Sequence, residues 1–249
     1  MSMPVLDTAL MAGETKVRIP YSPVPKNGDS RSTPLYSLAE VAYFLKIPKP
    51  TLHRWTRHWP TRSGKILDPL IPIADPVSAL MSFYNLAEAH ILSVTVRIHQ
   101  VQVKAIRSAI QELRIENLSN YEHPLLSREF YTDGKDIFVK TLEKTINVSQ
   151  YGQRGLRQVL DSYLARIERD EMFNPTKLYP AHQKAKVVCI LPSVSSGRPV
   201  IDGTAIPVAS IWNHYQAGDD IEALADEYEI PESQIAGAIN YVEQLRAAA

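Results

Sequence analysis

The stretch from Leu35 to Trp59, LYSLAEVAYFLKIPKPTLHRWTRHW, limits the fold more than any other part of the chain, because two prolines cut one amphipathic pattern into two pieces. Ser37 stands where an N-cap belongs, and Glu40 three positions on closes a capping box. Leu38, Val41, Ala42 and Leu45 then recur at helical spacing. Pro48 and Pro50 prevent simple continuation, since proline lacks an N–H and its ring crowds the preceding turn. A second helix therefore restarts near Thr51, with Leu52 and Trp55 on its inner face. Two short helices meeting across a tight turn predict a helix-turn-helix, whose second helix enters the major groove of DNA. Its outward residues should be hydrogen-bond donors, and they are Thr51, His53, Arg54, Arg57 and His58. Any small helical hairpin shows this periodicity, so charge has to discriminate. Residues 31–65 hold seven Lys or Arg against one acid, Glu40. That excess suits phosphate contacts and makes Lys49, Thr51, His53, Arg54, Arg57, Arg62 and Lys65 the expected DNA-binding residues.

The formal net charge of zero conceals a polarity along the chain. Residues 1–120 carry fourteen basic and nine acidic side chains, and residues 121–199 carry twelve and nine. Residues 200–249 carry one basic residue, Arg246, and nine acids. One end suits a polyanion and the other repels it. A chain of 249 residues is comfortable for two domains, each with its own core. No apolar run approaches the length of a membrane span, and the N-terminus lacks a basic segment followed by an apolar one, so a cytoplasmic protein is expected. The single cysteine, Cys189 in VVCIL, has no partner for an internal disulfide and reads as a buried small hydrophobe. The chain has no Gly-rich phosphate loop, Ser-His-acid grouping, HExxH or paired cysteines, so neither catalysis nor a cofactor is expected. Seven histidines are scattered without ligand spacing; His90 and His214 read as core or surface residues, and no metal is expected.

Taken in order, residues 1–34 contain five prolines among Gly, Ser and Lys and show no sustained period, which predicts a mobile arm with one short strand at Lys16–Ile19. Lys16, Arg18, Lys26 and Arg31 could touch phosphates or stay solvated. After the helical pair, Pro60–Pro76 has Ser63-Gly64 as a turn, then Ile66 and Leu67, then Leu70–Ile73 as a second apolar run, the pattern of a small β-hairpin or wing with Arg62 and Lys65 at its basic tip. Two helices follow, one over SFYNLAEAHILSVTVRIHQ and one over VKAIRSAIQELR, with a break near His99–Val101. This order resembles the MerR-like winged helix-turn-helix family, on YSLAEVAYFLKIPKPTLHRW at the front and FYNLAEAHILSVTVRIHQVQVKAIRSAI behind. The resemblance covers about residues 35–115. It departs from metal-sensing members in offering no cysteines near the long helix, so metal sensing is not implied.

Residues 121–185 read as a connector. Glu129–Tyr131 and Ile137–Val139 flank Asp133-Gly134, which predicts a hairpin. Beyond Gly152 and Gly155, Leu156, Val159, Leu160, Tyr163, Leu164 and Ile167 form one stripe, predicting a helix of about four turns. From Lys186 come short strands, with Asp202-Gly203 as a two-residue turn between Pro199–Ile201 and Thr204–Ile206. Pro207 then opens a helix that Gly218 stops. Asp219 or Asp220 caps the next, and a third starts at Pro231. The last two helices repeat the helix-turn-helix spacing, yet Asp219, Asp220, Glu222, Asp226, Glu227, Glu229 and Glu232 crowd the elements that would approach phosphates. Several like-charge contacts at on the order of 1 kcal/mol each would overwhelm modest base contacts, so this unit is expected to bind protein.

The string GRPVIDGTAIPVASIWNHYQAGDDIEALADEYEIPESQIAGAINY is similar to the C-terminal domain of VapB-type prokaryotic antitoxins, with Ala205 where members often carry a basic residue. What the two resemblances together imply is an antitoxin that represses its own operon and neutralises a PIN-like ribonuclease toxin. A basic RNA groove on such a toxin would suit the acidic unit. Trp212, Tyr215, Asp219, Asp226, Glu227 and Glu229 are the expected partner-binding residues, the two aromatics serving as anchors or as core. Binding operator DNA as a homodimer would follow from a palindromic site. The fold expected is mainly α with small β-hairpins: an arm at 1–34, a winged helix-turn-helix at 35–120, a connecting hairpin and helix at 121–185, and an acidic three-helix domain at 186–249. The rival reading is a MerR-like transcription regulator whose C-terminal module takes a small-molecule effector.

Overall fold

The computed structural model describes residues 28–61, 63–97, 101–113, 115, 122–146, 150–180 and 186–247. It is mainly helical, with small antiparallel strand pairs. Strand β1 (Tyr36–Ser37) leads into α1 (Leu38–Leu45), and the predicted capping box is present. Ser37 Oγ accepts from Glu40 N at 3.3 Å, while Glu40 Oε2 accepts from Ser37 N at 2.9 Å. Lys46 ends the helix in the left-handed region at φ +54°, and α2 (Lys49–Thr56) begins behind Pro48. The strands β2 (Trp59–Pro60) and β3 (Ile66–Leu67) pair across a turn in which Gly64 takes φ +79°. The partner of Ile66–Leu67 is Trp59–Pro60, not the second apolar run that the sequence offered at Leu70–Ile73. Leu70–Ile73 lies in the core without being a strand, and Leu70 N and Ile71 N both donate to Trp55 O.

Strand β4 (Leu80–Met81) pairs back onto β1, then α3 (Phe83–Arg97) and α4 (Val103–Leu113) follow as predicted. The connector departs from expectation. Around Asp133-Gly134 the chain forms no hairpin: Phe130–Gly134 is a π-helical turn running directly into α5 (Lys135–Ile146). Asp-Gly is a local preference, and packing overrides it, because Phe130, Phe138 and Leu142 are buried on one stripe and α5 lies against α4. Gly134 is present for closeness, not for positive φ; a Cβ there would stand 3.0 Å from Leu113 Cδ2.

Helix α6 (Gln150–Leu164) starts ahead of the predicted position, with Gly152 and Gly155 inside it. It also stops earlier. Ile167 belongs to β5 (Ile167–Arg169), paired with β6 (Pro175–Leu178). Burial alone could not separate these states, since Ile167 is buried either way.

One continuous apolar cluster runs from Tyr36 to Ile190, so the helical pair, α3–α6 and the β5–β6 hairpin share a core. A second cluster, from Val188 to Leu245, gathers β7 (Val188–Cys189), β8 (Val200–Ile201), α7 (Val208–Ala217), α8 (Ile221–Tyr228) and α9 (Glu232–Arg246). Within it Gly218 caps α7 at φ +113°, and Asp220 caps α8 by accepting from Ala223 N at 2.8 Å. Gly203 takes the predicted positive φ, but the loop is four residues long: Ile201 N donates to Ile206 O across it. The main partner of β8 is β7, not the segment after the turn. Cys189 is fully buried, and burial pushes its thiol up to about 12. Among the described residues no helix is long and apolar enough to cross a membrane. The predicted strand at Lys16–Ile19 lies outside the described residues, as does Arg62.

Candidate nucleic-acid and partner interfaces

Helix α2 is held by its inner face and leaves its outer face to solvent. Leu52 and Trp55 are 0% and 1% exposed, and Trp55 O is the acceptor that fixes the chain entering from Leu70. Opposite them Lys49, Arg54 and Arg57 are exposed, as is Lys65 at the turn of the β2–β3 hairpin. Among the described residues none of these four has a carboxylate within ion-pair distance, so each cation is available to an external anion. Thr51 and His53 are half-buried, and among the described residues His53 Nδ1 has no hydrogen-bond partner. Arg31 takes neither of the roles the sequence left open. It pairs with Asp29 at 2.8 Å and Asp170 at 2.9 Å and lies over the Tyr84 ring.

The acidic face is equally open. Asp219, Asp226, Glu227 and Glu229 are exposed, and Glu229 ends α8 in the left-handed region at φ +54°. His214 Nδ1 stands 3.0 Å from Asp219 Oδ2 and 3.9 Å from Glu227 Oε2. Trp212 and Tyr215 are half-buried with ring centroids 6.0 Å apart, and both pack against the second core. His90 is fully buried, with Nε2 3.1 Å from Tyr163 O. No group of three potential metal ligands occurs among the described residues.

Sequence reasoning missed the seam between the two cores. Arg198 pairs with Glu40, the same carboxylate that caps α1. Burial works to raise the Glu40 pKa, but its bonds from Ser37 and the Arg198 cation outweigh that and lower it. At the other end of α1, Lys46 Nζ donates to Gln244 Oε1 at 3.0 Å. Both ends of the helix preceding α2 are thus tied to the acidic unit. Residues 158 and 198 positions apart leave no periodic signal for a single sequence to show.

Cavities are also present among the described residues. One of about 640 Å³ is walled by Arg31, Tyr84, His123 and Phe173. Beside it, His123 Nδ1 lies 2.8 Å from Glu88 Oε2, a carboxylate that is 1% exposed. Another, of about 590 Å³, lies between α1 and the α7–α9 pair.

The described residues are mainly helical, with exposed cations on and just after α2 and exposed carboxylates on and beside α8. The chain is similar to several known proteins. The family described as "Protein of unknown function (DUF433)" matches residues 188–242. The Mycobacterium tuberculosis protein named "Putative antitoxin VapB45" is 27% identical over 230 residues, spanning 84% of this chain and 94% of that protein. A second protein of the same organism, "Uncharacterized protein Rv2308", is 26% identical over 222 residues, spanning 86% of this chain and 92% of its own length. The crystal structure of Rv2018 from the same organism superposes with a TM-score of 0.60, covering 83% of this chain and 98% of that one; at 24% identity the likeness is one of fold.

Proposed function

We propose that this chain is a non-enzymatic, cytoplasmic antitoxin of a toxin–antitoxin pair. In this reading residues 35–120 act as a MerR-like winged helix-turn-helix that reads operator DNA through Lys49, Thr51, His53, Arg54 and Arg57. Lys65, with Arg62, extends the contact to the backbone, and the chain represses its own operon as a homodimer. The arm at 1–34 and the connector at 121–185 flank that module, and residues 186–249 neutralise a PIN-like ribonuclease. The observation that carries the reading is the relative named as an antitoxin, similar over 84% of this chain. Two physical features support the division of labour. Exposed cations on and just after α2, without acid partners among the described residues, are matched to a phosphate backbone. The exposed carboxylates of Asp219, Asp226, Glu227 and Glu229 are matched to a protein that must present a basic groove to RNA.

Co-expression of the tagged chain with the reading frame beside it tests this. The expected result is recovery of a basic ribonuclease whose activity the chain suppresses. Recovery of the tagged chain alone, with that activity unchanged by added chain, would reject the antitoxin role. A second reading, a MerR-like regulator with a small-molecule effector, draws support from the two cavities. Release of operator DNA by a metabolite, with no toxin bound, would favour it.

A further inference from the structure

The cavity between α1 and the acidic unit has a consistent chemistry. At about 590 Å³ it falls within the range of sites that enclose small organic molecules. Its walls are apolar and rich in rings: Phe44 comes from α1, Trp212 from α7, and Tyr241 with Leu245 from α9. Three charged side chains reach it, Glu40, Arg198 and Arg246. The first two neutralise each other. Arg246 is the sole basic residue of the last fifty, and among the described residues no carboxylate stands within ion-pair distance of it. Its guanidinium lies 5.3 Å above the Trp212 ring. A guanidinium stacked on an aromatic face keeps its N–H edge free for planar, two-pronged recognition of a carboxylate. The local balance is therefore one positive charge at the rim of an aromatic slot, set in a unit that is otherwise strongly acidic.

We propose that this slot binds a small organic monoanion with a flat apolar body, of the aryl carboxylate class. The ring inserts between Phe44 and Trp212, and the carboxylate pairs with Arg246. The site goes beyond the antitoxin reading and does not depend on it, because it is defined by its lining alone. Its occupant would touch α1 and α7 together, at the seam that Glu40 and Arg198 already close.

Calorimetric titration of the full chain with 1-naphthoate and with its neutral isostere 1-naphthamide tests the assignment. Naphthoate should bind saturably, at one per chain, about tenfold more tightly than naphthamide. Arg246→Gln should remove that preference, bringing naphthoate to the level of naphthamide. Ala209→Trp, at an exposed position on the cavity wall, should weaken both ligands about tenfold or more by occupying the slot. Both substitutions lie outside the buried core, and far-ultraviolet circular dichroism confirms their fold. Equal affinity of the parent for the two probes, no saturable heat with naphthoate at millimolar concentration, or naphthoate affinity undiminished by either substitution would each overturn the proposal.

Discussion

Lys177 Nζ lies 2.9 Å from Asp202 Oδ1 and 3.3 Å from Glu168 Oε2, so one ammonium ties the β5–β6 hairpin to the loop after β8. Tyr179 completes the cluster, donating to Glu168 Oε1 at 2.8 Å. The hydrogen bond to Asp202 holds the Lys177 ammonium well above its ordinary range. Burial pushes Asp202 up, but the hydrogen bonds from Lys177, Cys189 and Tyr179 together with the Lys177 charge outweigh it and leave the carboxyl below its usual value of 3.8. Lys177→Met keeps the stem and deletes the charge. It should lower stability by about 1–3 kcal/mol, because Asp202 and Glu168 lose their shared partner while part of the cost is relieved by solvent. A urea midpoint equal to that of the parent would show that the seam does not rest on this contact.

Gly197 should resist substitution. It sits at φ +71°, and a Cβ there would stand 2.6 Å from Leu35 Cδ2 while also crowding the ring of Tyr36. Gly197→Ala is expected to cost about 2–3 kcal/mol, from strain and the displacement of two core side chains. The control is Gly203→Ala. That position also has positive φ but open space around it, and should lose less. Equal losses would mean that backbone strain alone matters.

The His123–Glu88 pair should lose its contribution to stability as pH rises through the folded-state pKa of His123, which lies above 6.5. Burial works to lower the His123 pKa, but the buried Glu88 carboxylate outweighs burial and raises it above 6.5. A folded-state pKa above the unfolded one gives a contribution complete below about 6.5 and lost as pH rises through the folded value. Denaturation followed from about pH 6 upward should show that decline in the parent. Glu88→Gln should flatten it, and a parent that gains stability over the same range contradicts the assignment.

For the proposed operator contact, Arg54→Ala with Arg57→Ala should weaken DNA binding and reduce its slope against log salt by about 2, with binding of the partner protein unaffected. Fluorescence anisotropy across a salt series measures this. An unaltered slope would remove α2 from the DNA interface.

Reversing Asp226, Glu227 and Glu229 to Lys should release the proposed toxin without unfolding the chain, since all three are exposed. Binding should fall by about 100-fold or more, with the largest effect at low salt. A complex that persists at low salt would show that acidic complementarity is not what holds it.

The helices with strong local signals were legible in advance. The Ser37–Glu40 box and the Gly218 stop are contests between neighbours a few residues apart and came out as the sequence implied; α2 restarts at Lys49, two residues ahead of Thr51, and of Asp219 and Asp220 it is Asp220 that caps α8. Where the local signal was a turn preference set against a buried stripe, packing prevailed, as around Asp133-Gly134. The exposure of Lys49, Arg54 and Arg57 could be anticipated from the spacing of Leu52 and Trp55 on the opposite face. The half-burial of Thr51 and His53 could not, because it depends on elements packed beside α2.

The order of residues alone determined the start of α1, the stop of α7 and how charge is distributed along the chain, because capping and turn residues act over one or two turns. Only the tertiary structure decided that Glu40 serves Arg198 as well as Ser37, that Lys46 reaches Gln244, and that Arg246 is left unpaired at an aromatic slot. Those relations join positions far apart in the chain, and chain closure brings them together through shared cores that no short-range pattern encodes.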